Sequence, residues 1–175
     1  MSNKRAEKAA IQILKEHNID TLPIPINELA FKRGLAVKSY DLGENVSGVL
    51  VINNGTGFTG YNPSESEVRR RFTVAHELGH YELHKNYANS LFVDKQFKVE
   101  FRNEVSSTGE MTDEREANAF AASILMPEKI LLDEIKNHHI DLGDDNNIQE
   151  LAKLFNVSVS AMTFRLINLK LLNQF

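Results

Sequence analysis

The stretch Arg71-Phe72-Thr73-Val74-Ala75-His76-Glu77-Leu78-Gly79-His80 decides how this chain is read. It closes on His-Glu-Leu-Gly-His, an H-E-x-x-H run. On a helix, residues four apart share one face, so His76 and His80 are placed to grip one metal ion. Glu77, one position on, is placed to take a proton from a water at that ion. Two apolar stripes flank these residues, one through Val68, Phe72, Ala75, Gly79 and Leu83, the other through Val74, Leu78 and Tyr81. A helix apolar on two sides belongs in the middle of a domain, with its remaining face left for His76, Glu77 and His80. Gly79 costs roughly 1 kcal/mol against alanine inside a helix, which implies a close neighbour there. Ser64 with Glu67 three residues later predicts a capped start to this helix, just after Pro63.

Composition narrows the chemistry. With 175 residues, 42% hydrophobic and 25% charged, the chain has the profile of an ordinary globular protein able to bury a core. Its net charge of −4 offers no general attraction to nucleic acid or to an anionic membrane. It has no cysteine, so a metal must be held by histidine and carboxylate. The opening residues lack the apolar core of a signal peptide, and no eighteen-residue apolar run occurs, so a cytoplasmic protein with no membrane span is expected.

Outward from the central helix, periodicity predicts a helix over 4–17 and an extended connector through Leu22-Pro23-Ile24-Pro25-Ile26. A short helix over 28–33, capped by Asn27, stops at Gly34. Strands follow over 35–40, 47–53 and 56–61, and the Asn54-Gly55 pair marks the last two as a hairpin. Residues 86–111 read as loop, except that Phe97, Val99 and Phe101 alternate as in a strand. Helices are expected from Thr112 to Leu125, from Pro127 to Lys136, and over 148–155 and 158–168, with a linker at 143–147. The fold class is α+β: a small sheet and several helices gathered on the H-E-x-x-H helix. Residues 1–140 form the main domain and 147–175 a C-terminal helical appendage.

A hydrolytic zinc site needs three protein ligands and one open position. Glu114-Arg115-Glu116-Ala117-Asn118 is the best source of the third, because Glu114 and Asn118 are four apart on one helical face. Glu114 is placed to bind the ion and Asn118 to support a ligand from behind. The plainer alternative for these acids is a favourable helix N-terminus. His84, one turn beyond His80, lies roughly 12 Å along the axis from His76, at about 1.5 Å rise per residue, which suits a supporting or packing role better than ligation.

Taken together, Arg71 to His80, Glu114-Arg115-Glu116-Ala117-Asn118-Ala119-Phe120-Ala121-Ala122 and Leu125-Met126-Pro127 resemble the ImmA/IrrE family of metallopeptidases. Leu22-Pro23-Ile24-Pro25 and Ser47-Gly48 resemble its N-terminal half, so the likeness covers most of residues 5–140. The resemblance implies one zinc ion on His76, His80 and Glu114, with Glu77 catalytic. It implies a gluzincin-like fold, in which a small antiparallel three-stranded sheet packs over the H-E-x-x-H helix. Phe58-Thr59-Gly60-Tyr61 departs from the plainer apolar strand expected there. The substrate implied is a helix-turn-helix transcriptional repressor.

Three residual features complete the reading. Zinc and one further donor should stabilise the oxyanion, with Tyr61, Tyr81, His84, Tyr87 and Arg102 as candidates. The 97–101 segment is either an edge strand that aligns an extended substrate or an ordinary core strand. Residues 148–166 resemble a helix-turn-helix with Ser158 capping its second helix, but Lys153, Arg165 and Lys170 against Glu150 leave a net charge of only +2 over 147–175. A pair packed on the main domain is therefore favoured over DNA binding. The competing function is a non-proteolytic regulator that binds a repressor or DNA around a structural zinc site.

Overall fold

The computed structural model describes the backbone of residues 2–43, 46–53, 56–84, 91–95 and 109–172, and the side chains of 3–43, 46–53, 56–84 and 112–172. Its elements in chain order are α1 (Ser2–Glu16), α2 (Ile26–Lys32), β1 (Leu35–Ser39), β2 (Val46–Asn53), β3 (Thr56–Tyr61), α3 (Glu67–His84), β4 (Leu91–Lys95), α4 (Gly109–Leu125), α5 (Glu128–Asn137), α6 (Asp145–Phe155) and α7 (Val159–Asn168). The α+β class holds. No described helix is long and apolar enough to cross a membrane.

The sheet is mixed rather than antiparallel, and it has a fourth strand. Its order is β1-β3-β2-β4. β2 and β3 form the expected antiparallel hairpin, with Asn53 opposite Thr56 across a two-residue connection. β1 sits beside β3 instead of β2 and therefore runs parallel to it. The chain crosses between β1 and β2 on a loop where Gly43 adopts a left-handed φ of 78° and its carbonyl accepts from Asn62 Nδ2 at 2.8 Å. Asn62 directly follows β3, so this one side chain ties the crossover to the strand it passes. β4 pairs antiparallel with β2, within a stretch the sequence pattern assigns to loop. The expected strand at 97–101 lies outside the described residues.

The polar composition of β3 has a packing cause. A Cβ on Gly57 would come within 2.9 Å of the Tyr81 ring, and one on Gly60 within 2.8 Å of the Tyr40 ring. Each glycine makes room for an aromatic ring on one face of the sheet. Thr59 donates its hydroxyl to the Val49 carbonyl at 3.0 Å, which satisfies it inside the structure.

Helix α3 is enclosed as its two stripes predict: Thr73 to Tyr81 are buried without interruption. It begins later than the capping pattern implies. Ser64 hydrogen-bonds back to Asn62 Oδ1 through both its N–H (3.1 Å) and its hydroxyl (2.7 Å), forming a turn, and the first helical bond runs from Arg70 N to the Ser66 carbonyl. Likewise α2 starts at Ile26 with no side-chain cap, so Asn27 lies inside its first turn. Buried Ile26, Leu29 and Ala30 form the i, i+3, i+4 stripe that anchors it.

Helix α4 lies across α3, and α1 packs along α4 with the small side chains of Ala6 and Ala10 fully buried. A Cβ on Gly79 would approach Ala117 Cα to 3.1 Å and the Ala117 carbonyl oxygen to 3.2 Å, which is the close neighbour its presence implies. Helices α6 and α7 share the same buried cluster through Leu151, Phe155, Met162 and Leu166. They meet at Asn156, left-handed at φ 51°, and Ser158 caps α7 by accepting from Ala161 N at 3.1 Å. Buried Arg165 donates to the Met126 carbonyl at 3.0 Å, and Arg71 on α3 donates to the Asn156 carbonyl at 3.1 Å. The C-terminal pair is thus tied to the main body by charged donors on backbone carbonyls.

Gly79→Val tests the helix contact. The branched side chain has only Ala117 backbone and the Phe120 ring to meet, so unfolding free energy should fall by roughly 1–3 kcal/mol in urea titration. A midpoint equal to or above that of the unaltered chain would contradict the close approach.

Candidate metal centre

Two residues of α3 and one of α4 meet at the crossing of these helices. His76 Nε2 and His80 Nε2 lie 2.9 Å apart, as the four-residue spacing requires. Glu114 reaches over from α4, one carboxylate oxygen 3.3 Å from His76 Nε2 and the other 3.1 Å from His80 Nε2. Both imidazoles are fully buried, whereas the Glu114 side chain is 45% exposed, so the trio opens to solvent on the carboxylate side.

The donor set fits a small divalent ion. A tetrahedral zinc with bonds of about 2.0–2.1 Å spaces its donors by about 3.3 Å, close to the three separations here. The protonation states agree. Burial lowers the pKa of His76 to about 4, so at neutral pH it offers a lone pair rather than a charge. Burial opposes ionisation of Glu114, but its contacts with His76 and His80 outweigh it and hold the carboxyl well below the usual carboxylate range.

Asn118 lies one turn beyond Glu114 on α4, and its Oδ1 is 3.1 Å from His76 Nδ1. With Oδ1 accepting, Nδ1 carries the proton and Nε2 is left free of one on the side facing His80 and Glu114. Glu114 and Asn118, four residues apart on α4, therefore both reach His76.

Glu77 is 1% exposed and lies on the sheet side of α3, where its Oε1 is 3.0 Å from the position a Cβ on Gly48 would take. Gly48 belongs to β2, so the sheet bounds this carboxylate on that side. Pattern reading places Glu77 beside the histidines but carries no signal for its contact with Gly48, since the two are twenty-nine residues apart.

His84 stands outside the trio. Its ring centroid is 5.7 Å from that of His80, its Nδ1 is 3.6 Å from Asp113 Oδ1, and its Nε2 is 3.8 Å from Glu116 Oε2. Glu116 in turn sits 3.5 Å from the Arg5 guanidinium on α1. Burial pushes His84 below the ordinary histidine range, against the opposing pull of Asp113. These four side chains join α1, α3 and α4 at the end of the central helix. Among the oxyanion candidates, Tyr81 packs against Gly57, and its hydroxyl lies beside Gly34. Tyr61 lines a cavity of about 170 Å³ with Arg70 and Arg71 near the start of α3. Tyr87 and Arg102 lie outside the residues whose side chains are described.

The sequence profile of the Peptidase_M78 family, described as the IrrE N-terminal-like domain, matches residues 17–167. Among solved structures, a Mycobacterium tuberculosis transcriptional regulator is similar in fold, with a TM-score of 0.63 at 20% identity over 93% of this chain. The match covers 46% of the regulator, so this chain spans less than half of that protein's length. No curated protein matches the chain in sequence.

Removing the Asn118 carboxamide should weaken zinc binding about 10–100-fold, the usual cost of losing such a partner. Competition of Asn118→Ala against a chromophoric chelator measures this, with Asn118→Asp as the variant that keeps an acceptor. Affinity of Asn118→Ala within twofold of the unaltered chain would refute the supporting role.

Proposed function

The chain belongs to the Peptidase_M78 family, and from that premise we propose that it is a zinc-dependent endopeptidase acting in the cytoplasm on a helix-turn-helix transcriptional repressor. The observation that carries the reading is the convergence of His76, His80 and Glu114 beside a buried carboxylate, Glu77. His76, His80 and Glu114 hold one zinc ion, and Asn118 keeps His76 in the tautomer and orientation that ligation needs. Zinc bound there supplies Lewis acidity, enough in favourable sites to bring the pKa of a water to about 7.

The chain's own residues perform the proton transfers. Glu77 accepts a proton at its carboxylate as water attacks the scissile carbonyl, then delivers it to the departing amine nitrogen. Its position on the strand side of α3 keeps the proton acceptor separate from the carboxylate that ligates. Among the described residues β4 is the last strand of the sheet, and its outer edge is where an extended peptide would add. His84, held among Asp113, Glu116 and Arg5, supports His80 from the far end of α3.

A regulator that keeps zinc only for structure would gain nothing from Glu77. A buried carboxylate costs free energy to ionise, and one placed beside two histidines is explained by a reaction that needs a base. The site therefore favours the enzyme over the non-proteolytic alternative.

The deciding experiment incubates the zinc-loaded chain, and Glu77→Gln, with the helix-turn-helix repressor encoded beside its gene. The unaltered chain should cut the repressor in a chelator-sensitive way. Glu77→Gln should bind zinc with equal stoichiometry while its rate falls by roughly 10²–10⁴. Undiminished cutting by Glu77→Gln would sink the mechanism, and no cut by the zinc-loaded chain would sink the substrate.

A further inference from the structure

Strand β2 breaks its own alternation beside the site. In a regular strand, successive side chains point to opposite faces, yet Ser47 and Gly48 are both buried. The pairing with β4 shows why: Val46 is opposite Lys95 and Gly48 opposite Asp94, so two steps on β2 match one on β4, and Ser47 is the extra residue of a bulge. Ser47 is fully buried and heavily bonded. Its hydroxyl donates to Glu65 Oε1 at 2.7 Å and accepts from Arg69 Nη2 at 3.2 Å, and its carbonyl accepts from Asn62 N at 3.0 Å. These bonds fasten the bulge to the entry and first turn of α3.

Gly48 then faces the helix directly. Its φ lies outside the left-handed region in which only Gly34 and Gly43 are found among the described glycines, so backbone freedom does not explain it. Space does. A Cβ there would overlap Thr73 Cγ2 and stand 3.0 Å from Glu77 Oε1 and 3.4 Å from the Gly60 carbonyl. Thr73 and Glu77 are successive turns of one face of α3. The Thr73 hydroxyl is buried with no hydrogen-bond partner among the described residues, so it is not bonded to the carboxylate below it.

We propose that Ser47 and Gly48 are positioning residues for Glu77: the bulge at Ser47 bolts β2 onto α3, and the missing side chain of Gly48 is the niche that holds the Glu77 carboxylate. The inference rests on the peptidase reading only in giving Glu77 the role of base; the confinement itself is a matter of packing. A base displaced by a fraction of an ångström loses alignment with its proton while the metal ligands, held from α4, stay where they are.

Three variants of the full zinc-loaded chain separate positioning from folding. Gly48→Ala alone should melt lower, because its methyl overlaps Thr73. Thr73→Ala removes that overlap without breaking a hydrogen bond, so Gly48→Ala/Thr73→Ala should regain most of the thermal stability and keep one zinc per chain. Its kcat on the repressor should nonetheless stay at least about tenfold below that of Thr73→Ala, at unchanged KM, because the methyl still crowds Glu77 Oε1. A crystal structure of the double variant should show the Glu77 carboxylate moved away from residue 48, with His76, His80 and Glu114 in place. An unmoved carboxylate, or a kcat equal to that of Thr73→Ala, overturns the proposal. So does failure of Thr73→Ala to restore the fold, since packing alone would then require the glycine. The carboxylate's position is read without any substrate, so a chain that cleaves nothing would count against the peptidase reading and leave this test intact.

Discussion

The structure depends on how closely α3 and α4 approach. Gly79 sits between His76 and His80, and Ala117 sits between Glu114 and Asn118, so this close approach of the helices falls in the middle of the converging side chains. Helices usually pack with axes 8–10 Å apart, and the near end of that range requires small residues at the contact. A glycine against an alanine supplies it. Were the axes an ångström further apart, Glu114 could not stand 3.1 and 3.3 Å from both histidines in one conformation. The helix-propensity cost of Gly79, roughly 1 kcal/mol, is the cost of bringing the two halves of the centre together.

Burial does the electrostatic work at that point. Taken wholly out of solvent, the His76 imidazole is driven to the neutral form, its pKa lowered to about 4. A neutral imidazole is what a cation needs, and it is also what leaves Glu114 to carry the charge. The surrounding charges sit at the ends of α3. Arg71 and Arg70 near its start donate to the carbonyls of Ile24, Asn156 and Pro63, while Arg5, Glu116, Asp113 and His84 gather at its finish. Charge is thus placed where solvent or backbone dipoles can share it, away from the buried His76 imidazole.

The sequence disclosed what is local or periodic. The four-residue spacings of His76 with His80 and of Glu114 with Asn118 each state a shared face, and Gly79 within an apolar stripe states a close neighbour. Relationships without a period stayed hidden. Nothing in Leu35 to Ser39 says whether that strand joins β2 or β3, so its parallel alignment depends on the crossover that Asn62 ties down. Ser64 and Glu67 satisfy a capping pattern, but Asn62 competes for the Ser64 hydroxyl and wins. Leu91 to Lys95 carries too short an apolar run to separate strand from loop by pattern alone. The glycines of β3 read as a weak strand because their purpose, room for Tyr40 and Tyr81, lies in other elements.

Seen along α3, two glycines from outside the ligand set divide the work of the site. Gly79, on the helix itself, fixes the distance to α4 and with it the relation of His76 and His80 to Glu114. Gly48, on the sheet, bounds the opposite side of the helix and with it the space open to Glu77. The two approaches act on different faces, so the proposed ligands and the proposed base answer to different neighbours. Metal affinity should then follow the α3–α4 contact and proton transfer the β2–α3 contact. His76 and Glu77 are adjacent in the chain, yet the close approaches at Gly79 and Gly48 come from different elements, α4 and β2.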